Sequence, residues 1–172
     1  AITNKADADY LLPKYIFAPG FRILGVSQRL GKMEILEPGE PLKIIDEGKI
    51  FQYSDGVDAT LVSFNFSFPQ GHKLAAGLKE KGINISHFNV NSAIATDWNE
   101  IEESVGKTKK IIVVDDSKSK HIPADNLLSE LCSKIPMEKK IVLRRELKEG
   151  WLYPTSDIFE IDTEKIFKML IT

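Results

Sequence analysis

The rhythm of apolar and polar positions changes near residue 42. Before it, prolines at 13, 19, 38 and 41 and glycines at 20, 25, 31 and 39 interrupt the pattern every few residues, and no long helical period survives. Within that stretch Tyr15-Ile16-Phe17 suits a short strand ending at Pro19-Gly20. Residues 1–41 cannot close a core by themselves and read as a connector or as the tail of a preceding unit.

From Leu42 the pattern becomes regular. Leu42-Lys43-Ile44-Ile45 and Lys49-Ile50-Phe51-Gln52-Tyr53 predict short strands, with Asp46-Glu47-Gly48 and Ser54-Asp55-Gly56 supplying turn chemistry. Ala59 to Phe64 is a continuous β-rich apolar run, the pattern of a strand covered on both faces. Pro69 opens a helix that carries Leu74, Ala75 and Leu78 on one face, runs to Lys81 and stops at Gly82. Ile83 to Val90 predicts a strand with apolar residues at 83, 85, 88 and 90. Thr96 caps a helix with acids in its first turn and a stripe of Trp98, Ile101 and Val105. Lys110 to Val114 is the most hydrophobic strand, and Ile122 to Ile135 a helix with Leu127, Leu128, Leu131 and Cys132 facing inward. A strand at Lys140 to Leu143 and a helix at Thr163 to Leu170 complete the series.

Strands alternating with helices of this length imply right-handed crossovers and a parallel sheet. The hairpin-like pair before the first of these helices adds an antiparallel strand. The expected fold is α/β: a three-layer α/β/α domain over residues 42–172, with a mostly parallel five-stranded mixed sheet and one antiparallel edge strand. With 172 residues the chain has room for one such core plus an appended segment.

Composition narrows the partners. A net charge of -2 offers no basic excess for a phosphate backbone or an anionic membrane surface, so neither nucleic acid nor membrane is expected. The lysines at 107, 109, 110, 118, 120, 139 and 140 read as flanks of strands and helices. Cys132 is the single cysteine, which excludes an intrachain disulfide and fits a reducing compartment; the cytoplasm is the expected location. No apolar run approaches a membrane span, and the first residues lack a basic-then-apolar leader pattern.

Candidate chemistry is sparse. Asp115-Asp116 ends the run KKIIVVDDS, and open α/β sheets bind ligands beyond strand C-termini. Either the two acids cap a turn and face solvent or a partner, or they form an acid–base or metal pair. A phosphoacceptor receiver domain, which places paired acids after its first strand, is excluded by their late position. His121 is the histidine nearest that edge and a candidate ligand contact. His72 and His87 lie apart from it, without the spacing of a metal cluster. No Gly-x-Ser-x-Gly elbow and no glycine-rich phosphate loop follows any strand. Phe64, Phe66 and Phe68 crowd one strand-to-helix turn and read as core packing or as an apolar interface. Trp151 and Tyr153, beyond the last strand, are a second candidate interface.

The ordered pieces resemble the C-terminal domain of the transketolase family, which includes transketolases, deoxyxylulose-phosphate synthases and the beta subunits of 2-oxoacid dehydrogenases. The resemblance rests on Gly56-Val57-Asp58-Ala59-Thr60-Leu61-Val62-Ser63, on LAAGLKEKGI and ISHFNV, on Ile101-Glu102-Glu103-Ser104-Val105-Gly106-Lys107-Thr108, and on IIVVDDS. It spans about 55 to 117, with weaker agreement to 145. It implies a three-layer domain that shapes dimer and subunit contacts, while thiamine diphosphate and a divalent metal are held by preceding domains of the parent enzyme. Residues 1–41 then correspond to the tail of a pyrimidine-binding domain and the linker, with the last strand of that domain within Tyr10 to Glu40 and EPLKIIDEGKI as the lead-in. The family's glycine pair after the central strand is replaced by Lys118-Ser119-Lys120-His121-Ile122-Pro123. The cofactor-activating glutamate and the diphosphate motif have no counterpart here, so no catalytic, cofactor-binding or metal residue carries over.

The leading expectation is therefore a non-catalytic domain or fragment of a thiamine-diphosphate-dependent transketolase-like enzyme or 2-oxoacid dehydrogenase beta subunit. It would work in assembly with the remainder of the parent or a companion subunit, as a homo- or hetero-oligomer. A free-standing protein-binding module of the same fold is the alternative, and a small enzyme using Asp115 and Asp116 a third.

Overall fold

The computed structural model describes residues 1–21, 23–27, 34–92, 97–145 and 159–172. Chain order is α1 (Lys5–Tyr15), β1 (Lys43–Ile45), β2 (Ile50–Ser54), β3 (Ala59–Phe64), α2 (Phe68–Glu80), β4 (Ile85–Val90), α3 (Asn99–Thr108), β5 (Lys110–Asp115), α4 (Ala124–Lys134), β6 (Lys139–Arg144) and α5 (Thr163–Ile171). One six-stranded sheet runs in the order β1-β2-β4-β3-β5-β6. β4, β3, β5 and β6 are mutually parallel, whereas β2 pairs antiparallel with both β1 and β4.

The expected α/β fold stands, with two refinements. The sheet has six strands rather than five, because Lys43–Ile45 pairs in register with Ile50–Gln52 as a strand of its own. The reversed strand is β2, one place in from the edge, and β1 forms the rim.

Two apolar layers hold the sheet. On one face Val62, Phe64, Phe88, Val90, Ile111 and Val113 meet Ile101 and Val105 of α3 and Leu127 and Leu131 of α4. On the other, Leu61, Ile85, Ile112 and Val114 meet Leu74 and Leu78 of α2 and Ile166 and Leu170 of α5. β3 and β5 lie under helices on both faces, which explains their unbroken apolar runs. Both lysine clusters near the strand starts have structural partners. Lys110 and Lys139 donate through Nζ to the carbonyls of Leu170 and Met169, at the negative end of α5, and Lys109 is the left-handed C-cap of α3 with φ 56°.

Three local expectations are corrected. Tyr15-Ile16-Phe17 is not a strand: Tyr15 ends α1, and Ile16 and Phe17 follow as exposed bends. The side chain of Asn4 accepts from the Asp7 amide and nucleates that helix, and Pro13 falls late enough to cost it only one main-chain bond. Cys132 is exposed rather than buried. The stripe of α4 centres on Ala124, Leu127 and Leu131, and the next residue lies about 100° further round the helix. The predicted cap Thr96 and the candidates Trp151 and Tyr153 lie outside the described residues.

Candidate functional site

Ligands of open α/β sheets lie where neighbouring strands send their connections in opposite directions. Here that point is between β3, which leads through α2 to β4, and β5, which leads through α4 to β6. The residues beyond these two C-termini are Asn65-Phe66-Ser67 and Asp116-Ser117. The crevice between them is closed by the chain itself. Ser67 is fully buried, and its hydroxyl lies 2.9 Å from the Phe64 carbonyl and 2.7 Å from the Val114 carbonyl, tying the two strand ends together. It also accepts from the Phe64 amide at 3.1 Å.

Asp115 belongs to this seal. Its Oδ1 accepts from the Ser117 amide and hydroxyl at 3.0 and 2.5 Å, and its Oδ2 from the Ala124 amide at 3.3 Å. The carboxylate thus spans the turn after β5 and the positive end of α4. Burial pushes its pKa up, and the hydrogen bonds from Ser117 and Ala124 oppose the rise. Asp116 points to the opposite face, where Arg145 donates through Nε to its carbonyl at 2.7 Å and approaches Oδ2 at 3.6 Å. Both side chains of this pair are buried, and the Arg145 guanidinium also lies over the Phe159 ring. The two acids therefore diverge, one on each face of the sheet. His121 is exposed at the same end. The structure does not gather Asp115, Asp116 and His121 around a common point.

The phenylalanines separate as well. Phe64 packs edge-on against Trp98 and is 1% exposed, and Phe68 stacks on His87 at 5.4 Å with none of its surface exposed. The chain's own core covers both, which removes them as interface candidates: a side chain without exposed area has none to lose to a partner. Phe66 keeps part of its surface, with its ring tip against Gly25.

A buried polar strip under α1 and α2 escaped the sequence reading. Ser63 and His87 are hydrogen-bonded at 3.0 Å, beneath a close approach of α2: a Cβ on Gly71 would lie 1.9 Å from Ser63 Oγ. Burial, with His72 nearby, drives the His87 pKa down to about 3, so the ring is neutral at pH 7. Further along, Asp7 of α1 is fully buried and accepts from Thr3 Oγ1 at 2.6 Å and Asn91 Nδ2 at 2.7 Å. Burial raises the Asp7 pKa against these bonds, and raises that of Tyr53, whose hydroxyl donates to Asn4. The readable signal was the broken alternation in ISHFNV, where polar His87 and Asn89 take the face that Ile85 begins. Such a strip locks α1 and α2 to the sheet, and α2 covers its Ser–His pair, which denies a substrate access to that hydroxyl.

Among the described residues no three His, Cys, Asp or Glu side chains are grouped to hold a metal, and no helix is long and apolar enough to cross a membrane. No family model and no curated protein matches the chain. Among solved structures it is similar to a split-gene transketolase, an inactive beta4 tetramer, with a TM-score of 0.59 and 12% identity over 77% of this chain and 45% of that one. It also aligns with a transketolase from Campylobacter jejuni subsp. jejuni NCTC 11168, with a TM-score of 0.45 and 14% identity over 77% of this chain and 20% of that one. At 12% identity the first likeness is one of fold, and it agrees with the transketolase C-terminal-like architecture expected from the sequence. The chain spans less than half the length of that transketolase.

Proposed function

We propose that this chain is the non-catalytic C-terminal-domain-like part of a thiamine-diphosphate-dependent enzyme of the transketolase kind, working in subunit assembly. In this reading residues 42–172 are the domain, and residues 1–41 are the tail of a pyrimidine-binding domain with its linker. The parent transfers a two-carbon or acyl unit between small carbohydrate or 2-oxoacid substrates in the cytoplasm. Thiamine diphosphate and its divalent metal belong to that parent, and the remainder of the parent or a companion subunit is the partner.

One observation carries the reading: the place where an open α/β sheet binds a ligand is filled by Ser67 and by the turn held on Asp115. The residues there do not fit a diphosphate. An anion would approach two carboxylates whose oxygens already accept from Ser117, Ala124 and Arg145. The fold of the similar split-gene transketolase supports the assignment, and because that protein is described as a tetramer of beta chains it supports self-assembly too.

Calorimetric titration of the purified chain with thiamine diphosphate and magnesium tests this. The expected result is no saturable heat at millimolar ligand. A micromolar Kd would overturn the non-catalytic reading.

A further inference from the structure

We propose that residues 16–26 are the surface through which two copies of this chain associate; the inference rests on the self-assembly reading above. Exposed apolar side chains concentrate in this stretch. Phe17 is 91% exposed, Phe21 85%, Ile23 80%, Val26 59% and Ile16 58%. An exposed apolar residue standing alone needs no explanation, but five within eleven consecutive positions form a strip. Together they present on the order of 700 Å² of apolar surface, at or above the largest patch of an ordinary monomer and close to the ~800 Å² each partner buries in a standard interface.

The strip is held in place at its far end. The Ile2 amide donates to the Gly25 carbonyl at 2.8 Å, Ile2 bridges to Val26, and Phe66 rests against Gly25. Phe66, the one member of the phenylalanine cluster with surface left, thus borders the same region. A second copy suits the strip because a two-fold contact brings the same patch against itself, and an apolar patch is its own complement. Arg22 is the one charged residue between 16 and 26, and a net charge of -2 sets little repulsion between copies.

Sedimentation velocity from micromolar to sub-millimolar protein tests the surface. The expected result is a concentration-dependent dimer that F17S/I23S weakens about a hundredfold, since each substitution removes a large apolar contact. Val57→Ser, at another exposed apolar position, is expected to leave association unchanged. If the wild type associates and F17S/I23S associates equally well, the inference falls and the assembly reading stands. A wild type that is monomeric throughout overturns the self-assembly reading together with the inference, and the strip then belongs to a different chain. Both substituted side chains are solvent-exposed, so the circular dichroism spectrum and unfolding midpoint of the variant should match the wild type.

Discussion

His87 is a pH-sensitive load on the fold. Unfolded, its imidazole takes a proton near pH 6.5; folded, it stays neutral down to about pH 3 because charging it would place a cation beneath α2. Between those values the unfolded state holds more protons, so stability falls as pH drops. Relative to His87→Gln, the wild type should lose about 1.4 kcal/mol per pH unit below 6.5, measured by urea denaturation from pH 7 to 4.5. Asp7 and Asp115, whose pKa values are raised, act with the opposite sign in both proteins and cancel in the comparison. The two strand-end acids should also respond differently. Asp116→Asn strips charge from beside a buried guanidinium and is expected to cost about 1–3 kcal/mol. Asp115→Asn keeps an acceptor oxygen for the turn and replaces a carboxylate already disfavoured by burial, so it should cost under about 1 kcal/mol. A catalytic pair would instead lose turnover at either position without a matching loss of stability.

At the scale of elements, α1 is the part that sequence reasoning missed and the part most open to test. Gly48 has φ +91°, and a Cβ there would lie 2.6 Å from the Tyr10 ring, which in turn meets Phe51 edge-on at 5.7 Å. Gly48→Ala therefore sets a strained backbone against a contact of α1, with an expected loss of about 1–3 kcal/mol. Amide hydrogen exchange should quicken across Lys5–Tyr15 while β3 and β5 keep their protection. The strands and helices from residue 42 onward were legible because burial on one or both faces writes a period of 2 or 3.6 into the chain. The helix α1 was not, because it buries little beyond Leu11 and Asp7, so its apolar period is weak and Pro13 and Pro19 mask it. Its readable mark was Asn4 followed three residues later by Asp7, a helix-start pattern that needs no apolar stripe. Cys132 misled for a related reason: four residues from Leu128 places it at the margin of the α4 stripe, and only packing decides which side of the margin is covered.

For the whole molecule, the sequence exposed the strand-end aspartates, but it did not show that they part to opposite faces. That depends on whether a side chain at the last strand residue belongs to the α4 face and its neighbour to the α2–α5 face, which register alone determines. The assembled picture is a sheet whose ligand-binding end is closed by its own hydroxyl and carboxylate, and whose largest apolar exposure lies on the segment leading into it. The most direct test of that closure is a two-dimensional amide NMR titration of the chain with thiamine diphosphate and magnesium, read residue by residue. The account predicts that the amides of Phe64 to Phe68 and Asp115 to Ala124 stay in place at millimolar ligand. Saturable shifts concentrated in those two turns would contradict it.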